Sequence, residues 1–205
     1  MGDIGPEASK PVMEGKGLLF KIFADIDVFD IEVGTKDIEE FIATVKNISP
    51  TFGGINLEDI KAPESFEIER RLVEELNIPV MHDDQHGTAI ISSAALLNAV
   101  ELAGKKMEEV KMVISGAGSA AIACANLYVS FGVKPENVVM FNSKVALRKD
   151  DPRVTDMQRR YATDKHYDDL AHAMKGADVF LGLSSADIVT PEMLLGMAAN
   201  PIVFA

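Results

Sequence analysis

Lys111-Met112-Val113-Ile114-Ser115-Gly116-Ala117-Gly118-Ser119-Ala120-Ala121 decides the fold. An apolar run leads into G-x-G-x-x-A, and Ala121-Ile122-Ala123-Cys124-Ala125 continues it as an apolar helix. In this order Gly116 permits a tight turn and Gly118 lets the backbone approach a pyrophosphate. Ala121 allows close helix–strand contact, and the helix N-terminus faces the anion. A glycine pattern by itself also fits a purely structural turn. Here it has the strand before it and the helix after it that dinucleotide binding requires.

The next strand ends in Val139-Met140-Phe141-Asn142-Ser143-Lys144. NAD-specific folds place an acid there to hold the ribose 2′-hydroxyl. None is present, and Lys144 is a candidate partner for a 2′-phosphate, so the reading leans toward NADP over NAD. The candidate cofactor-binding residues are Gly116, Ala117, Gly118, Ser119, Ala120, Ala121, Asn142 and Lys144.

Away from this loop, short apolar runs alternate with amphipathic stretches, the rhythm of a parallel sheet covered by helices. Strands are expected over 26–33, 51–57, 78–82, 110–115, 137–142, 177–183 and 201–205. Helices are expected over 37–48, 65–76, 88–103, 120–131, 167–175 and 191–199, with Pro191 in the first turn of the last. Residues 143–165 are polar and mixed and read as an irregular excursion. The fold class is α/β with doubly wound, mostly parallel sheets. Residues 83–205 form a Rossmann-type NAD(P)-binding domain, expected to be incomplete at its C-terminal end. Residues 1–82 are expected to form part of a smaller α/β domain.

Composition narrows the partners. The 205 residues are 47% hydrophobic and 25% charged, enough apolar material for a sizeable core. Lys plus Arg number 20 against 32 Asp plus Glu, a net charge of −12. Such a chain repels phosphate backbones and anionic lipid, so neither nucleic acid nor membrane is an expected partner. The single cysteine, Cys124, lies in an apolar stretch and reads as a buried structural thiol. No stretch resembles a signal peptide or a membrane span, and the expected location is the cytoplasm.

Two acidic pairs follow predicted strands: Glu58-Asp59 after Leu57, and Asp83-Asp84 after His82. Ligands in open α/β sheets bind at the carboxyl ends of strands, so the pairs can converge there. Four carboxylates together repel one another unless a divalent cation neutralises them, and oxygen-only ligation suits Mg²⁺ or Mn²⁺. The competing reading is helix N-capping by Asp59 and Asp84. His82 and His86 lack a third nitrogen or sulfur ligand nearby, which disfavours zinc. Lys16, flanked by glycines before an apolar segment, is either an exposed lysine or, in a partly dry setting with a metal nearby, a base with a depressed pKa.

Residues 2–8, 11–16, 52–60 (FGGINLEDI), 82–89 (HDDQHGTA), the glycine loop and 176–184 resemble malic enzyme of the bacterial NADP-linked type. The resemblance spans essentially the whole chain. It implies divalent-metal-dependent oxidation of malate to oxaloacetate with NAD(P)⁺ and decarboxylation to pyruvate and CO₂. It also implies that Lys16 is the general base, that Asp83 supports the proton chemistry, and that Glu58, Asp59 and Asp84 are metal ligands. A homo-oligomer is expected for the full-length protein. The family's tyrosine acid lies upstream of the first motif, and an Asn-Pro turn lies beyond the last. The chain is therefore expected to be a central fragment with little malate turnover of its own. The family's acid after the second Rossmann strand is Asn142 here, and its glycine after Ser143-Lys144 is Val145. A non-catalytic nucleotide- or metal-binding remnant is the alternative; another Rossmann dehydrogenase is disfavoured by the double acidic pairs.

Overall fold

The computed structural model describes residues 4–142 and 145–205, which form two units, Met1–Asp84 and Gln85–Ala205. Lys144 lies outside the described residues.

The first unit opens with α1 (Pro6–Ala24), a helix for which the sequence offers no clean periodic signal. Gly5, at φ 92°, enters it, and Asp25 in the left-handed region ends it: the Asp25 N–H donates to the Lys21 carbonyl at 3.1 Å and the Ile26 N–H to the Phe20 carbonyl at 3.3 Å. Its residues Leu18, Leu19, Ile22 and Phe23 remain exposed.

Residues 26–33 do not form the expected strand. Their apolar side chains suit a strand, but a strand exists only when its backbone groups find a ladder, and this segment has none among the described residues. It runs instead without regular secondary structure along a cavity of about 820 Å³, with the Phe29 ring against Phe52.

Three short elements then make a βαβ unit. After α2 (Ile38–Ile48), whose N-cap Asp37 accepts from the Glu40 N–H at 2.9 Å, come β1 (Ile55–Leu57), α3 (Glu64–Glu75) and β2 (Val80–His82). The strands are parallel, with Ile55 opposite Val80 and Leu57 opposite His82. Ile42 and Val45 of α2, Leu57, and Ile68 and Leu72 of α3 close the core. Helix α4 (Asp83–Leu102) starts directly at the end of β2, five residues earlier than periodicity predicts, because Asp83 to Gly87 carry no apolar signal.

The second unit is a five-stranded sheet in the order β5-β4-β3-β6-β7. The strands are β3 (Met112–Ser115), β4 (Val138–Asn142), β5 (Val145–Ala146), β6 (Val179–Gly182) and β7 (Ile202–Phe204). All pairs are parallel except β4 with β5. Helices α5 (Ser119–Ser130), α6 (Asp156–Arg159), α7 (Leu170–Met174) and α8 (Pro191–Leu195) connect them. The chain runs β3 to β4 in one direction and then returns to β6 on the other side of β3. That is the strand reversal of a doubly wound fold, which opens a crevice at the carboxyl end of β3. The fold class is as expected.

Residues 145–165 are more ordered than their composition suggests. They hold β5, folded back on β4, and α6, whose Thr155 and Gln158 form a reciprocal capping box. Among the described residues no helix is long and apolar enough to cross a membrane.

Cys124 is fully buried in α5, with its Sγ 3.5 Å from the Ser92 Oγ, and burial pushes its thiol above the usual range. A neutral, enclosed thiol does not attack disulfide reagents. Ellman's reagent should therefore leave the folded chain unmodified and react with one thiol per chain through the urea transition. Fast labelling without denaturant would place Cys124 elsewhere.

Candidate metal and dinucleotide sites

The parallel register of β1 and β2 determines the first site. Because Leu57 and His82 are partners, the residues that follow them leave the sheet side by side, Glu58-Asp59 from one strand and Asp83-Asp84 from the other. One carboxylate oxygen from each of Glu58, Asp59 and Asp84 lies within 4.8 Å of the others. At metal–oxygen distances of about 2.1 Å, octahedral ligand oxygens lie roughly 3 to 4 Å apart, so small side-chain adjustments close this set around Mg²⁺ or Mn²⁺. The three residues are half-buried and offer only oxygen, the donor set that hard cations take.

Asp59 does not cap a helix. It sits at φ 53°, and its backbone N–H donates to Asp84 Oδ2 at 3.1 Å, while the position before α3 is Pro63. The capping alternative therefore fails for Asp59: its side chain is turned into the acidic cluster rather than onto helix N–H groups. His82 is fully buried, its backbone N–H donating to Glu69 Oε1 at 2.7 Å. The acidic group that can hold a metal includes no histidine among the described residues.

Lys16 reaches this cluster from α1. Its Nζ is 2.6 Å from Glu58 Oε2 and donates to Asp83 Oδ2. Burial, the largest single influence on the ammonium, lowers its pKa, but Asp83 and Glu58 together outweigh it and hold the group above the ordinary lysine value. With no cation beside it the ammonium is thus held up, because desolvation at a quarter exposure is weaker than two carboxylate contacts; the depression expected from sequence requires a metal nearby. Glu58 is pushed the other way from most paired acids. Burial raises its pKa, Lys16 opposes this, and the charges of Asp84 and Asp83 add to the rise. A carboxylate so placed is short of positive charge.

The second site lies wholly in the Gln85–Ala205 unit. Gly116 follows β3 at φ 122°, and a Cβ built there would sit 2.7 Å from the Leu183 carbonyl oxygen. Only glycine fits this crossing. Gly118 has open space around its missing side chain and takes the N-cap position of α5. No side chain caps that helix, and no acid stands in its first turn. Its first N–H groups are therefore presented without a competing side-chain acceptor or a nearby carboxylate, the setting for a phosphate. Ala121 is buried beneath, as close helix–strand packing requires. Ser119 and Ala120 supply further first-turn N–H groups, and Ala117 carries the turn.

Asn142 ends β4 exposed. The linear reading missed what the excursion brings beside it. Asn142, Val145, Ala146, Leu147, Asp151, Arg153, Val154 and Gln158 line a cavity of about 260 Å³. Gln158 Nε2 donates to the Ala117 carbonyl at 2.9 Å, fastening this segment to the glycine loop. The T-x-x-Q spacing of the capping box was the one sequence signal for it.

The family model described as "Malic enzyme, N-terminal domain" matches residues 1–73, and "Malic enzyme, NAD binding domain" matches residues 85–205. The chain is 52% identical over 205 residues to an NADP-dependent malic enzyme of Halomonas elongata, covering all of this chain and 49% of that protein. It is 53% identical over 206 residues to an NAD-dependent malic enzyme of Rhizobium meliloti, covering all of this chain and 27% of that one. A crystal structure of the NAD-dependent malic enzyme from Thermotoga maritima superposes with a TM-score of 0.92 at 45% identity, covering 100% of this chain and 55% of that one. The chain thus spans about half or less of the length of these relatives.

The glycine geometry is checked by stability. Gly116→Ala should cost of order 1–3 kcal/mol through its strained φ and the carbonyl clash, whereas Gly118→Ala should cost clearly less. Equal urea midpoints for the two variants would contradict the close approach at Leu183.

Proposed function

Because this chain belongs to the malic enzyme family, we propose that it supplies the metal site and the dinucleotide-binding domain of an NADP-dependent, oxaloacetate-decarboxylating malic enzyme. The reaction is malate plus NADP⁺ to pyruvate, CO₂ and NADPH. The observation that carries this reading is the convergence of Glu58, Asp59 and Asp84, with Lys16 held between Glu58 and Asp83.

When bound, the divalent cation supplies Lewis acidity at the C2 oxygen and the nicotinamide supplies a hydride acceptor. Glu58, Asp59 and Asp84 hold the cation. Lys16 Nζ accepts the C2 hydroxyl proton. For that it must first give up a proton, and Asp83 Oδ2 is the acceptor already hydrogen-bonded to it. Without a cation Asp83 and Glu58 hold Lys16 protonated; a divalent charge on Glu58, Asp59 and Asp84 would favour the neutral amine that a base requires. Gly116 to Ala121 cradle the pyrophosphate with backbone N–H groups, and the buried Ala121 keeps the helix close to the sheet.

Cofactor choice within this reading rests on the absence of an acid at the end of β4, with Asn142 in its place; relatives at 52% and 53% identity are named for NADP and NAD respectively. A homo-oligomer fits the exposed apolar side chains of α1, which monomers seldom leave uncovered. A cytoplasmic setting fits the single reduced, buried thiol.

Mn²⁺ titration followed by electron paramagnetic resonance tests the metal site. One ion should bind per chain in competition with Mg²⁺. Asp84→Ala should weaken it by about tenfold or more, while Asp150→Ala, far along the chain in the excursion, should not. Lys16→Ala should leave Mn²⁺ binding intact or tighter, since it removes a competing positive charge. Equal losses in Asp84→Ala and Asp150→Ala would remove the assignment.

In the protein that carries this chain, Lys16→Ala should lower malate-dependent NADPH formation by roughly 10²–10⁴-fold. Loss of Mn²⁺ binding in parallel would make Lys16 a structural member of the cluster instead.

A further inference from the structure

The cavity beside β4 contains a charge arrangement that the dinucleotide reading leaves unused. Arg153 and Asp151 are the charged residues among the described residues that line it. Arg153 donates from Nε and Nη2 to the two Asp151 oxygens at 3.0 and 2.8 Å, and its backbone N–H adds a third bond to Asp151 at 2.9 Å. The pair is therefore a preset fork rather than two loose surface charges. Asp151 is mostly covered, at 23% side-chain exposure, whereas Arg153 is 83% exposed, and its Nη1 donates to no acceptor among the described residues.

The other arginine nearby, Arg148, is paired with Asp150 through Nε and Nη2 in the same way, but it does not line the cavity. The cavity is tied in space to the phosphate cradle. Asn142 at its wall ends β4, whose Phe141 carbonyl accepts from the Gly116 N–H at 2.9 Å. Gln158, which also lines the cavity, donates to the Ala117 carbonyl inside the glycine loop. A dinucleotide with its pyrophosphate on that loop sends its adenosine ribose toward the carboxyl end of the neighbouring strand, which here is β4.

We propose that this cavity receives the adenosine ribose and that Arg153 is the specificity-determining residue, its guanidinium engaging a 2′-phosphate. Asp151 is a positioning residue that aims the fork. The proposal rests on the dinucleotide reading of the glycine loop and goes beyond it by naming the group that selects NADP⁺ over NAD⁺. A guanidinium suits the task because its planar donors match two phosphate oxygens at once.

The test is calorimetric binding of NADP⁺, NAD⁺ and 2′,5′-ADP to the chain and to Arg153→Ala, Arg153→Lys and Lys144→Ala. In Arg153→Ala the Kd for NADP⁺ and 2′,5′-ADP should rise by about tenfold or more, as expected for a lost charge-assisted contact, while NAD⁺ changes less than twofold. Arg153→Lys should fall between, since an ammonium keeps the charge but not the fork. Because Arg153 is exposed, these variants should keep the parent's urea midpoint. Parallel losses for both nucleotides, or an unchanged NADP⁺ affinity with the loss appearing in Lys144→Ala instead, would overturn the assignment to Arg153 and leave the dinucleotide reading standing. Failure of the parent chain to bind any of the three ligands would overturn both.

Discussion

Like charges brought together at the ends of two paired strands constrain everything around them in the first unit. The register that sets Leu57 opposite His82 forces Glu58-Asp59 and Asp83-Asp84 into one neighbourhood. Carboxylates so close, half removed from water, are stable only with positive charge among them. Lys16 supplies one such charge from a helix more than forty residues earlier in the chain. Its reach to both Glu58 and Asp83 gives α1, otherwise poorly buried, a specific attachment to the βαβ unit. The same shortage of positive charge that raises the Glu58 carboxyl is what a divalent cation relieves, so the electrostatic strain and the proposed chemistry share one cause.

In the second unit the governing constraint is steric. The backbone of Gly116 crosses the Leu183 carbonyl at a distance that leaves no room for a Cβ. Ser115 and Leu183 are tied by a backbone hydrogen bond of 2.7 Å, so the turn after β3 is pinned to the end of β6. That crossing points the first N–H groups of α5 into the crevice at the strand reversal. The glycine is thus required by the sheet topology first, and the phosphate cradle follows from it.

The excursion after β4 shows how polar sequence acquires structure. Its order comes from local hydrogen bonds: the Thr155–Gln158 capping box, the Asp151–Arg153 fork and the Gln158 contact to Ala117. None of these alters hydrophobic periodicity, so they were invisible to a reading based on apolar spacing. The reverse error occurred at 26–33, where apolar residues suit a strand but no neighbouring backbone offers a ladder. A strand is a property of a pair, and composition describes only one member.

The sequence by itself determined the α/β class, the glycine loop with its flanking strand and helix, and the acidic pairs, because these depend on local spacing and on conformations only certain residues adopt. The HDDQHGTA and FGGINLEDI blocks named the family for the same reason: each is contiguous. Tertiary structure alone decided which carboxylates share a neighbourhood, since that follows from strand register. It decided the direction of the Lys16 shift, since solvent exposure and two contacts set by chain folding compete there. It also placed Asp151 and Arg153 beside Asn142, nine and eleven residues away in sequence, through the fold-back of β5. Electrostatics depends on distance through space, and distance through space is what a linear reading cannot supply.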